Sequence, residues 1–137
     1  MDWITDDIAI GNYLDAQDAG ALQTARIASI LSLDGVLRGR SHSSLGVQEI
    51  AVHPMEDGEG NSPADFRRAV QTLLRLVNDH PPVLVQCHAG RSRSAVVVAG
   101  YLMLRLGLDP EAALTKVAEK REIAVTKGLE RLLDSIA

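Results

Sequence analysis

The segment SAVVVAGYLMLRL, Ser94 to Leu106, constrains this chain more than any other. It is apolar nearly all round, and a helix of that pattern has to be enclosed by other elements on every side. Gly107 marks its end. The apolar run Val83 to Val85 just before it reads as a short buried strand. A strand leading through a tight loop into a central helix calls for more strands beside it and more helices around it.

The rest of the sequence supplies them. Ile4 to Gly11 reads as a short strand or hairpin turning at Asp6-Asp7, and Ile27 to Leu33 and Val47 to Val52 read as core strands. Asp15 is a candidate cap for a helix reaching about Ala25, and Arg38 to Gly46 reads as a loop. Ser62-Pro63 predicts a helix start, with Asp65 in the first turn. Phe66, Ala69, Val70, Leu73, Leu74 and Val77 then recur at helical spacing. Asp109-Pro110 opens another helix, to about Lys120, and Thr126 is read as the cap of a last one carrying Leu129, Leu132, Leu133 and Ile136. Strands alternating with helices give the fold class: α/β, a single domain over 1–137, with a central, mostly parallel β-sheet flanked by helices.

Composition narrows the function classes. Hydrophobic residues make up 46% and charged residues 23%, which excludes a disordered chain. The net charge of −4 and pI near 5.5 argue against a general binder of nucleic acid or anionic membrane. No apolar run has the length of a membrane span, and the N-terminal MDWITDD predicts no secretory leader. The single cysteine cannot form an internal disulfide, which fits a reducing, cytoplasmic setting. One cysteine and four scattered histidines predict no metal site, and no cofactor is expected.

That cysteine lies in VLVQCHAGRSRSAVV, between the strand and the central helix. A loop between a strand's carboxyl end and a helix start gathers backbone N–H groups that point at an anion. The loop His88, Ala89, Gly90, Arg91, Ser92 and Arg93 is therefore the candidate phosphate-binding segment. Gly90 allows positive φ and close approach to a ligand. Arg93 offers a planar fork matched to oxyanion oxygens, and its charge and the N–H dipoles favour a thiolate at Cys87. An anionic sulfur on the floor of an oxyanion pocket suits attack on phosphorus.

The pattern C-x-x-x-x-x-R-S after an apolar strand resembles the signature of the protein tyrosine phosphatase superfamily. CHAGRSRSA followed by VVVAGYLM looks most like its dual-specificity branch. The likeness extends to the IGN segment at Gly11, the EDG loop and the PEAAL…KREI region. The bare spacing is shared with low-molecular-weight phosphatases, arsenate reductases and rhodanese-like phosphatases, but in the low-molecular-weight class the cysteine lies near the N-terminus.

The resemblance implies a cysteine-based phosphatase fold and roles for particular residues. Cys87 would be the nucleophile and Arg93 the oxyanion ligand. Asp57, in the loop His53 to Ser62, would be the general acid, with Glu56 and Glu59 as solvated neighbours. Ser94 would hydrogen-bond the sulfur and ease breakdown of the thiophosphate. Gln86 departs from the family's histidine before the cysteine and brings no charge to the thiolate. His88 and Arg91 would rim the pocket, as basic residues do in phospholipid-directed members. Expected partners are a phosphorylated protein or small phosphomonoester, with phosphate, sulfate or vanadate in the loop; the chain is read as a monomer. A phosphoinositide or phospholipid phosphatase, a non-catalytic phosphate-binding module and a sulfur-transfer or arsenate-reducing enzyme are the alternatives. Arg38, Arg40 and His42 read as a basic surface loop, and Lys120, Arg121 and Lys127 as helix-surface charges.

Overall fold

The computed structural model describes residues 1–136. Its strands are β1 (Asp2–Thr5), β2 (Ile8–Gly11), β3 (Ser29–Ser32), β4 (Glu49–Val52) and β5 (Val83–Gln86), and they form one five-stranded sheet in the order β1-β2-β5-β3-β4. Only β1 runs antiparallel to its neighbour, turning into β2 where Thr5 Oγ1 accepts from the Asp7 N–H at 3.1 Å. The others are parallel.

The helices are α1 (Ala19–Thr24), α2 (His42–Leu45), α3 (Pro63–Asp79), α4 (Arg93–Leu106) and α5 (Pro110–Ala118). Successive strand residues face opposite sides, so the sheet feeds two cores. Ile8, Ile10, Leu31, Val83 and Val85 pack with α3, α4 and α5. Ala9, Ile30 and Leu84 pack with Leu22 of α1 and Leu45 of α2. Ser94 through Met103 of α4 are all buried. At Gly100 α3 packs closely on α4: a Cβ there would stand 2.9 Å from Val70 Cγ2.

Several local expectations are corrected. Asp18, not Asp15, caps α1, accepting from the Ala21 N–H at 3.0 Å. Asp15 instead accepts from the Asn12 N–H at 2.9 Å, because a 3-10 turn at Asp15–Gln17 comes first. The segment read as a loop contains the short helix α2, closed by Gly46 at φ 73°. The last helix is a 3-10 helix, Glu130–Ser135, and Thr126 does not cap it.

Registry then locates the site. Gly11 and Ser32 both stand level with Gln86, and Val52 stands level with Ser32. The parallel strands therefore end along one edge, and the segments after β2, β3, β4 and β5 meet there. In open α/β sheets that edge is where ligands bind.

Candidate active site

The chain leaves β5 at Gln86, turns through His88–Ser92 and enters α4 at Arg93. Cys87, at the start of the turn, is 2% exposed. Its Sγ lies 3.2 Å from Ser94 Oγ, and the Ser94 N–H points at the same sulfur at 3.5 Å. The first turn of α4 thus holds the sulfur from below. Gly90 takes φ 67°, and a Cβ there would stand 2.6 Å from the Gly11 carbonyl oxygen, so only glycine fits.

The backbone N–H groups from His88 to Arg93 donate to no protein acceptor among the described residues. Their carbonyls, by contrast, are engaged. The Tyr13 N–H donates to the His88 carbonyl at 3.0 Å, Arg121 Nε to that of Gly90 at 2.6 Å, and the Ala124 N–H to that of Arg91 at 3.0 Å. The loop therefore turns acceptors outward, and donors are left for an anion. Arg93 adds more. Its Nη1 donates to the Met55 carbonyl at 3.0 Å and to the Leu33 carbonyl at 3.4 Å, which fixes the side chain. Its Nε is buried with no protein partner among the described residues. A donor left unpaired in a buried site costs free energy until an acceptor arrives.

Gln86 is fully buried beneath the loop. Its Oε1 accepts from Ser32 Oγ at 2.6 Å, which ties β5 to β3, while its Nε2 has no partner among the described residues. Ser92 is bound to the C-terminal segment: its Oγ accepts from the Thr126 N–H at 2.9 Å and donates to Thr126 Oγ1 at 3.1 Å.

Asp57 is exposed on the loop that follows β4. Asn61 shapes this loop, accepting from the Glu56 N–H at 2.9 Å and donating to the Glu56 carbonyl at 2.8 Å. The loop is moored to the anion site at Met55, through the Arg93 bond. Just upstream, His53 Nε2 sits 3.2 Å from Thr72 Oγ1. Partial burial, and secondly the charge of Arg68, lower the pKa of His53 below the usual imidazole range.

The rim carries His88 and Arg91, both exposed. The His88 ring stacks on Tyr13, with centroids 4.5 Å apart and planes 5° from parallel. The Arg38–His42 cluster is partly spent locally: Arg40 Nε donates to Ser44 Oγ at 3.0 Å, and His42 Nδ1 lies 2.9 Å from the Val47 carbonyl.

Sequence reasoning missed Tyr13 and Arg121. Tyr13 follows the IGN segment, but nothing in its type announces that it reaches the loop. Arg121, read as a surface charge, is turned inward; its side chain is 12% exposed. The KREI motif was the available signal for it.

The family described as dual specificity phosphatase, catalytic domain, matches residues 9–134. The mouse dual specificity protein phosphatase 22 is 28% identical over 124 residues, 90% of this chain and 66% of that protein. The rat phosphatidylglycerophosphatase and protein-tyrosine phosphatase 1 is 33% identical over 78 residues, 57% of this chain and 40% of that protein. This chain thus spans less than two thirds of either relative. The crystal structure of human DUSP28 superimposes with a TM-score of 0.84 at 22% identity, covering 99% of this chain and 94% of that one.

Proposed function

Since this chain belongs to the family of dual specificity phosphatase catalytic domains, we propose that it is a cysteine-dependent phosphomonoester phosphatase acting through a phosphocysteine on phosphotyrosine and phosphoserine/threonine in proteins. The observation that carries this reading is the ring of unpaired loop N–H groups and the unpaired Arg93 Nε around the Cys87 sulfur. Such a site lacks an acceptor with several oxygens, and a phosphoryl group supplies one.

The steps follow from the residues. The Cys87 thiolate attacks phosphorus; the S–P bond forms as the P–O bond to the leaving group breaks. Asp57 gives its proton to the departing oxygen. The loop N–H groups and Arg93 hold the equatorial oxygens where charge must be balanced. Water then attacks phosphorus, Asp57 takes its proton, and the S–P bond breaks. Ser94 Oγ, 3.2 Å away, hydrogen-bonds the sulfur as its charge returns. Nucleophile, acid and anion ligand all come from the chain, so no metal step is required. The reactive thiol has to stay reduced, which supports a cytoplasmic setting, and the chain is read as a monomer.

A second substrate reading, a phospholipid headgroup phosphate, is favoured by two observations: the rat relative carries phosphatidylglycerophosphatase in its name, and the exposed rim here bears His88 and Arg91.

Hydrolysis of p-nitrophenyl phosphate in EDTA, with Cys87→Ser beside the wild type, tests the mechanism. A vanadate-sensitive rate in the wild type alone is expected. Turnover by Cys87→Ser at the wild-type rate removes the mechanism. Phosphotyrosine and phosphothreonine peptides set against phosphatidylglycerophosphate in mixed micelles then decide the substrate class.

A further inference from the structure

We propose that Arg121 is a positioning residue: its guanidinium holds the Ala89 and Gly90 carbonyls turned out of the pocket, so that the loop's N–H groups stay turned in. The inference rests on the loop being an oxyanion site, as argued above.

The geometry around Arg121 is unusual for a residue beyond the end of α5. Its Nε donates to the Gly90 carbonyl at 2.6 Å, and Nη2 reaches the Ala89 carbonyl at 3.4 Å. Its Nη1 donates to Asp2 Oδ2 at 2.9 Å and to the Ile10 carbonyl at 3.3 Å. One planar group thus joins the phosphate loop, the end of β2 and the start of β1. Gly90 leaves no slack, since a Cβ there would come within 2.7 Å of Arg121 Nη2. The same segment continues along the outside of the loop, with the Ala124 N–H on the Arg91 carbonyl and Thr126 on Ser92.

This matters because a peptide unit points its N–H and C=O in opposite directions. A loop that offers donors inward must find partners for its carbonyls outward. Gly90 makes that orientation precarious. Glycine adopts positive and negative φ about equally readily, so the peptide beside it flips at little steric cost. A flip turns a carbonyl into the pocket, against a phosphoryl oxygen, and removes a donor. Arg121 opposes the flip by giving those carbonyls a cationic partner, and Asp2 holds the guanidinium in place. Lysine keeps the charge but not the fork, and cannot serve both carbonyls and Asp2 at once.

The test compares wild type, Arg121→Lys, Arg121→Met and Asp2→Asn by tungstate calorimetry, p-nitrophenyl phosphate kinetics and thermal melting, all well below each melting point. We expect Arg121→Met to weaken tungstate binding by about tenfold or more and to lower kcat/KM by roughly 10–100-fold, the scale of a misplaced binding group. Arg121→Lys should fall between the two, and Asp2→Asn should lose less than either. If the melting point drops while the tungstate Kd of the folded variants equals that of the wild type, Arg121 is merely structural and the proposal is overturned. Should Arg121→Met not fold, Arg121→Lys decides by the same comparison. A wild type that binds tungstate without turning over substrate defeats the phosphatase reading alone, and the tungstate comparison still reads the brace. A wild type that binds no tungstate defeats both.

Discussion

Arg93 Nη1 donates to the carbonyl of Met55 at 3.0 Å, so Arg93 is fastened to the segment that carries Asp57. In the proposed mechanism this bond couples the grip on a phosphoryl group to the presentation of the acid through one backbone oxygen. Arg93→Lys should lower kcat/KM by about 10²–10³-fold, the scale of losing one oxyanion contact. Steady-state kinetics on p-nitrophenyl phosphate check it, and a loss below fivefold would mean the fork geometry is immaterial.

Asp57→Asn should act mainly on kcat, by about 10²-fold, the usual contribution of a positioned acid. KM should change little, because Asp57 lies on the separate loop after β4 and not in the His88–Arg93 segment proposed to hold the phosphoryl group. The defect should shrink with substrates whose leaving group needs no proton. If Glu56→Gln instead gave the larger loss, the acid would be misassigned.

Ser94→Ala should separate the two chemical steps. Its hydroxyl contacts the sulfur that is the leaving group in the second step of the proposed mechanism. Rapid mixing should show a burst of p-nitrophenol near enzyme stoichiometry, followed by a slowed steady state. A linear trace from time zero with an unchanged rate would count against the role.

Ser32→Ala removes the hydroxyl that meets Gln86 Oε1 at 2.6 Å. Since Gln86 Nε2 already lacks a partner, the whole amide would then sit unpaired in the core. A loss of about 1–3 kcal/mol in denaturant melts is expected. The double variant with Gln86→Met should recover most of it, because no polar group is then stranded. Equal stability of Ser32→Ala and wild type would show that the bond contributes nothing.

His53 predicts a pH dependence of stability. Burial lowers its folded-state pKa below the ordinary value of 6.5, so the unfolded chain takes the proton more readily. Stability from this residue is full above the unfolded value and is lost as pH falls toward the folded one. Thermal melts of wild type and His53→Gln should converge in their pH slope above neutrality and diverge below it, the wild type losing more. Parallel curves throughout would contradict the shift.

Much of this was legible in the residues. The uninterrupted apolar pattern of Ser94–Leu106 announced an enclosed helix, and that helix is buried along most of its length. Ser62, Pro63 and Asp65 marked the start of α3 because a cap, a fixed φ and a first-turn carboxylate all act locally. The loop residues were legible because cysteine, glycine and arginine in that order and spacing leave few other uses. Other features are set at a distance. Asp15 and Asp18 are equally good caps by type, and the 3-10 turn that chose between them depends on Asn12. Arg121 reaches Asp2 across nearly the whole chain, and no local pattern encodes that contact. The 3-10 geometry of Glu130–Ser135 likewise answers to packing against α4 and α3 rather than to its own apolar spacing.

The pairing of β2 with β5 has a consequence for how the chain is made. Ile8 finds its parallel partner at Val83, and the outer face of the loop is finished only by Thr126. During synthesis the N-terminal hairpin therefore waits, with one edge open, until most of the chain has left the ribosome. The thiol emerges into solvent before its enclosure exists. A translating ribosome stalled short of Thr126 would display an ordinary thiol without its finished loop around it, so competence arrives in one late step.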